Sequence, residues 1–249
     1  MDRFLKILGK VGAVFFVLSF VILSGFVSVL IPATSTAFYR AQYRKVDENG
    51  YTPVDYVKRQ SYFIKDEKSA RFIMDMTEDK LVDTMMHAVR YCLYLEDDLN
   101  PTVNGYKMQI YRQDELSHMQ DVKKVFGGGL IIVAVALTLF LVTLCFGIIK
   151  RKSYYNNCRK VPFYALIGVL LVLLTLGILA LTSFELAFDI FHKILFDGNW
   201  EFQNGVMIEM IGYIFEDIAV IIISVWLGLL ALFSASVYLC NKLLKRKYE

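Results

Sequence analysis

LIIVAVALTLFLVTLCFGII, residues 130–149, holds no Asp, Glu, Lys, Arg or His. A run of about 20 such residues, wound as a helix rising about 1.5 Å per residue, covers the roughly 30 Å hydrocarbon layer of a bilayer. Three further runs, 11–31, 161–183 and 218–240, are equally free of charge. Hydrophobic residues make up 56% of the 249 positions and gather in these blocks instead of recurring periodically, which excludes an ordinary soluble domain. The fold expected is an all-α membrane protein with four transmembrane helices.

The charged segments between the runs set their direction. The tail at 1–10 carries Arg3, Lys6 and Lys10, the link at 150–160 carries Lys150, Arg151, Lys152, Arg159 and Lys160, and the tail at 241–249 carries Lys242, Lys245, Arg246 and Lys247. All three lie on one side of a four-span chain, and the positive-inside rule makes that side cytoplasmic. The first run resembles a signal peptide in its basic flank and its Ser35-Thr36-Ala37, but a cleaved apolar region is about 7–15 residues long, and this one is longer. Pro32 ends it as an uncleaved anchor. The segments expected outside are a cap at 32–129, of mixed charge, and a loop at 184–217, where Glu185, Asp189, Asp197, Glu201, Glu209, Glu216 and Asp217 oppose the lone Lys193. The net charge of +3 therefore reports topology, and no basic patch with interleaved aromatics suggests a nucleic acid.

The cap reads as a small α+β unit. Thr77, followed by Glu78 and Asp79, predicts a helix start, and Leu81, Met85, Ala88, Val89, Cys92 and Leu95 continue at helical spacing to an end near 97–101. After Asn104-Gly105, the alternation at 106–111 predicts a strand, with an extended stretch at 51–62 as its possible partner. Asp114-Glu115 open another helix, which Gly127-Gly128-Gly129 would loosen at the membrane boundary. Cys92 is the cap's only cysteine, so the cap has no internal disulfide; Cys145 and Cys240 fall in spans as small packing residues. No zinc or redox cysteine spacing, dinucleotide fingerprint or phosphate-binding loop occurs.

The chemistry concentrates on two of three histidines. His118 stands in Glu115-Leu116-Ser117-His118-Met119-Gln120-Asp121-Val122-Lys123, with Asp114 and Asp121 one turn away on either side. His192 stands in the aromatic loop, one turn after Asp189. A carboxylate so placed can fix an imidazole's tautomer. Singly, such histidines are commonly structural, but two from separate segments, each beside an apolar run on the same side, form a candidate pair. The loop's aromatics also suit an interfacial belt. His87, in mid-helix with Asp83 a turn before it, reads as a partly exposed helix residue.

The stretch 115–123 resembles the Glu-x-x-His-Met-x-Asp-Val-Lys pattern of the lipoprotein intramolecular transacylases (Lit) of Gram-positive bacteria. Phe191-His192, Phe196 and Asn199-Trp200 resemble the same family's second element. Leu195 replaces an expected aromatic, Ile211-Gly212 stand where a proline is usual before Phe215-Glu216-Asp217, and the cap is longer. The resemblance implies transfer of the sn-2 acyl chain of a diacylglyceryl-cysteine lipoprotein to that cysteine's own α-amine. It also implies His118 and His192 as base and acid in an order left open, and no cofactor or metal. Glu115, Asp121, Asp189, Asn199 and Trp200 are expected as supporting residues. The partners implied are lipidated proteins of the outer leaflet and membrane lipids, with oligomeric state unread.

The alternatives lie in other classes. A non-enzymatic four-span scaffold or accessory protein fits the layout, although a claudin-like outer loop would need paired cysteines. A transporter would be expected to carry ionisable residues within its spans, and these runs carry none. A histidine metalloenzyme lacks the His-Glu-x-x-His spacing.

Overall fold

Four helices answer the four apolar runs in the computed structural model, which describes residues 2–196, 198 and 204–248. In chain order the elements are α1 (Asp2–Ala33), α2 (Thr36–Tyr43), α3 (Pro53–Arg59), a 3-10 turn (Gln60–Phe63), α4 (Glu67–Met74) and α5 (Glu78–Cys92). The hairpin strands β1 (Thr102–Val103) and β2 (Tyr106–Lys107) follow, then α6 (Gln113–Ile149), α7 (Arg151–Cys158), α8 (Val161–Thr182) and α9 (Phe184–Leu195). The chain ends with α10 (Val206–Ile211), a 3-10 turn (Gly212–Ile214) and α11 (Phe215–Tyr248). Helices α1, α6, α8 and α11 are long and apolar enough to cross a membrane, so the protein is a four-span helical membrane protein.

The chain divides into two compact units. The first comprises Met1–Val29, Leu130–Ile190 and Ile222–Glu249. Most of its apolar side chains face outward, as with Ile131, Leu171 and Leu239, which is where lipid replaces water as solvent. Inside, Val17, Leu166, Leu230 and Phe233 are buried together, and Phe20 stacks on Phe233 with ring centroids 4.0 Å apart. The Trp226 indole N–H donates to the Val21 carbonyl at 3.2 Å and to Ser24 Oγ at 3.1 Å, satisfying a polar group among apolar helices. Gly25 permits that approach, since a Cβ there would stand 3.1 Å from the indole.

The second unit comprises Leu30–Gly129 and Phe191–Ile221, with its own core of Tyr39, Val57, Ile73, Leu81, Ile110, Met119 and Met210 among others. Local chemistry explains where it departs from the sequence reading. The stretch 51–62 is helical, because Thr52 and Asp55 form a reciprocal capping box and Pro53 fills the first turn. The strand at 106–111 shrinks to Tyr106–Lys107 and pairs with Thr102–Val103 across Asn104-Gly105, both of positive φ, as a tight hairpin requires. Met108 and Ile110 are buried, and the Ile110 N–H donates to Asn100 Oδ1, so that segment's backbone is satisfied outside a ladder.

Helix α5 ends at Cys92, earlier than its periodicity suggests, as the chain turns through Tyr94 at φ 62°. The three glycines at 127–129 stay helical within α6. Gly127 serves close approach, since a Cβ there would stand 2.4 Å from the Tyr94 phenol oxygen. The segments expected as loops are largely helical too, forming α7 in one and α9 and α10 in the other.

Candidate active site

Helix α6 begins with a polar stretch before its apolar run at 130–149. Asp114 and Glu115 sit in the first turn, where exposed backbone N–H groups favour negative charge. Glu115 Oε2 accepts the Arg112 N–H at 2.8 Å, and Asp114 Oδ1 accepts the Glu115 N–H at 3.0 Å. Met119, Val122 and Phe126 turn toward the core, which fixes the rotation of the helix and leaves His118 half-buried beside that face. Lys123, from the same motif, lies over the rings of Tyr91 and Tyr94 at 4.0 and 5.0 Å and donates to the Glu96 carbonyl at 2.9 Å.

His192 comes from the last turns of α9 and is only 5% exposed. The Phe196 N–H donates to the His192 carbonyl at 2.8 Å, so the helical course persists and stacks Phe196 one turn beyond the imidazole. The His118 and His192 ring centroids are 6.1 Å apart with planes inclined by 24°. Phe196 lies against both, 4.9 Å from His118 and 5.6 Å from His192. The pair predicted from separate segments is thus brought together around one phenyl ring. Burial holds the His118 pKa below the ordinary histidine value, the neighbouring His192 lowers it further, and the Asp121 charge acts in the opposite direction.

The supporting residues distribute differently. Glu115 is wholly buried, and its second oxygen, Oε1, accepts the Met207 N–H at 2.6 Å. Burial, assisted by Asp114, raises its pKa above the usual carboxylate value, against the two backbone donors and Arg112, which favour the charged form. Asp121 receives the Lys124 ammonium at 2.7 Å while its field still reaches His118. Asp189 lies on α9 one turn before His192, half-buried. Asn199 and Trp200 lie outside the described residues.

Three participants escaped the sequence reading. Arg112 donates to the Asn204 carbonyl at 3.1 Å and to its side-chain oxygen, while also gripping Asp114 at 2.6 Å. Gly205, at φ 144°, packs directly on Glu115. The Met207 N–H completes the contact. A glycine just before α10 was the available signal; which carboxylate it would meet was not readable.

Comparison with known proteins agrees with the motifs. The family model "Lipoprotein intramolecular transacylase Lit" matches residues 13–215. A solved structure of the membrane-integral lipoprotein intramolecular transacylase Lit from Bacillus cereus is similar, with TM-score 0.64 and 15% identity over 98% of each chain. A histidine-to-arginine variant of that protein aligns with TM-score 0.60 and 15% identity over 99% of this chain and 94% of the other. A histidine-to-alanine variant gives TM-score 0.53 and 16% identity over 98% and 94%. At such identity the likeness speaks for the fold. A search of curated proteins finds no match.

Proposed function

This chain belongs to the lipoprotein intramolecular transacylase Lit family, and from that premise we propose that it moves the sn-2 acyl chain of a diacylglyceryl-cysteine lipoprotein onto the α-amine of the same cysteine. The product would be an N-acyl lyso-form lipoprotein. The observation that carries this reading is the near-parallel His118–His192 pair, 6.1 Å between centroids, with Phe196 against both rings.

The reaction needs little else from the protein. Donor ester and acceptor amine belong to one molecule, so holding that molecule in a reactive fold supplies the proximity that a bimolecular step lacks. The amine, with an ordinary pKa near 8, needs a base to be nucleophilic at neutral pH, and an imidazole depressed below about 6.5 is neutral and available there. We assign that role to His118, whose pKa is lowered by burial. The amine nitrogen attacks the ester carbonyl carbon and its proton passes to His118. The tetrahedral intermediate then collapses, breaking the acyl carbon to glyceryl oxygen bond. His192, in its protonated form, donates to that departing oxygen. Imidazole nitrogens hydrogen-bond in the plane of the ring at roughly 2.6–3.2 Å, so a tetrahedral centre served by both near-parallel rings would lie at their edges and not between their faces.

Phe196 and the low exposure of His192 serve a second requirement. Water at the same carbonyl would hydrolyse the ester and lose the chain, so a dry site favours transfer over hydrolysis. The cap is placed outside the cell, with both termini in the cytoplasm, on the strength of the basic tails and the basic 150–160 segment. Lipidated proteins carried in the outer leaflet would then meet the histidines where the apolar runs end.

The test is mass spectrometry of lipoprotein N-termini from a host lacking its own N-acylation route. Expression of this chain should yield the N-acyl lyso form, and His118→Ala or His192→Ala should abolish it. Unchanged product from both variants would overturn the mechanism.

A further inference from the structure

A wholly buried carboxylate ordinarily finds a cation, because removing charge from water is costly. The Glu115 oxygens are instead matched to two backbone N–H groups, Arg112 at 2.8 Å and Met207 at 2.6 Å. The first bond is local and caps the start of α6. The second spans 92 positions of sequence, and the Arg112 guanidinium reinforces it by donating to the Asn204 carbonyl at 3.1 Å. Gly205, between those two acceptor and donor positions, has φ 144°, and a Cβ on it would stand 2.4 Å from Glu115 Oε1 and 2.6 Å from its carboxyl carbon.

We propose that Glu115 and Gly205 form a lock that clamps the chain at 204–207 to the first turn of α6, making Glu115 a positioning residue for the histidine pair. The proposal rests on the transacylase reading above. The clamp joins the start of α6, which carries His118, to the start of α10, which follows α9 and His192 in the sequence. His118 follows Glu115 by one turn of α6, and the clamped backbone at 204–207 begins twelve positions after His192 in the sequence and leads into α10. Its task thus differs from orienting an imidazole directly. The carboxylate is needed because each oxygen holds a different donor. A glutamine has the same shape but only one side-chain oxygen, and its NH2 group would face the other backbone N–H. Glycine is needed for its left-handed φ and its missing Cβ alike.

The experiment uses the full chain in lipid bilayers with a diacylglyceryl lipopeptide as substrate, and measures kcat, KM and thermal stability. Glu115→Gln should lower kcat by roughly 10- to 100-fold, as expected when reacting groups are displaced by about an ångström. KM should stay within about threefold, since the residue does not touch substrate. A kcat unchanged within about twofold would overturn the positioning role. A second series tests the lock itself through stability alone. Gly205→Ala should lower the melting temperature of the wild-type background by more than it lowers that of Glu115→Ala, where the clash is gone. Equal, additive losses would overturn the contact. If the wild-type chain transfers no acyl group while Gly205→Ala and Glu115→Ala remain non-additive, the transacylase reading fails and the positioning role falls with it, though the lock stands.

Discussion

The imidazoles of His118 and His192 share one neighbour, Phe196, and face each other with centroids 6.1 Å apart although 74 positions separate them in the sequence. Groups that serve one proton-transfer sequence are non-additive when removed. His118→Ala and His192→Ala are each expected to lower the transfer rate by about 10²- to 10⁴-fold. The double variant should be little worse than the poorer single one. Rates in detergent or bilayers with a lipopeptide substrate check this, and losses that multiply would show that the rings act in separate steps.

Besides the limb from the substrate amine, with its ordinary pKa near 8, the acid side of the kcat/KM profile should show a second limb below the ordinary histidine value of about 6.5, because burial and the adjacent His192 depress the His118 pKa. Phe196→Ala admits water, relieves that burial and moves the second limb to higher pH. It should also release free fatty acid as hydrolysis competes with transfer. The sign for stability is parallel. Between the depressed pKa and the unfolded value the folded chain binds fewer protons, so stability rises with pH and falls as pH drops through that window. A second limb unmoved by Phe196→Ala would contradict burial as the cause.

The four spans were legible because bilayer thickness imposes a length and an absence of charge, and both are local properties of the sequence. The pairing of His118 with His192 was legible only as an expectation from motifs on the same side of the chain. The cap was harder. Thr77 announced α5 correctly, yet the end at Cys92 depends on the turn through Tyr94, whose positive φ has no strong local signal in a tyrosine. The helix at Pro53–Arg59 carries its own local signal in the Thr52–Asp55 capping box, against the extended reading of 51–62. The Glu115–Gly205 contact is tertiary, between residues 90 positions apart, and no local pattern encodes it.

Leu81 is fully buried at the start of α5, inside the core shared by Tyr39, Val57, Ile73 and Ile110. Leu81→Ala should destabilise that unit by about 2–5 kcal/mol, the range for emptying a well-packed site. The apolar helices have a separate core around Val17, Leu166, Leu230 and Phe233, so they should be spared. Hydrogen exchange in bilayers checks the contrast. Amides of α5 and α4 should exchange faster, and those of α8 should not. Equal acceleration in both regions would mean the two cores unfold as one.

The positive-inside rule predicts that Lys65 and Lys152 lie on opposite sides of the membrane. Lys65 precedes α4, and Lys152 lies on α7. In intact cells, a membrane-impermeant maleimide should label Lys65→Cys at once and Lys152→Cys only after permeabilisation. Native thiols give a low background in the relevant regions, since Cys92 and Cys158 are buried and Cys145 and Cys240 lie on apolar helices. The reverse labelling pattern would put the histidine-bearing unit in the cytoplasm. A substrate carried in the outer leaflet could not reach it there, and the proposed reaction would fail on topology alone.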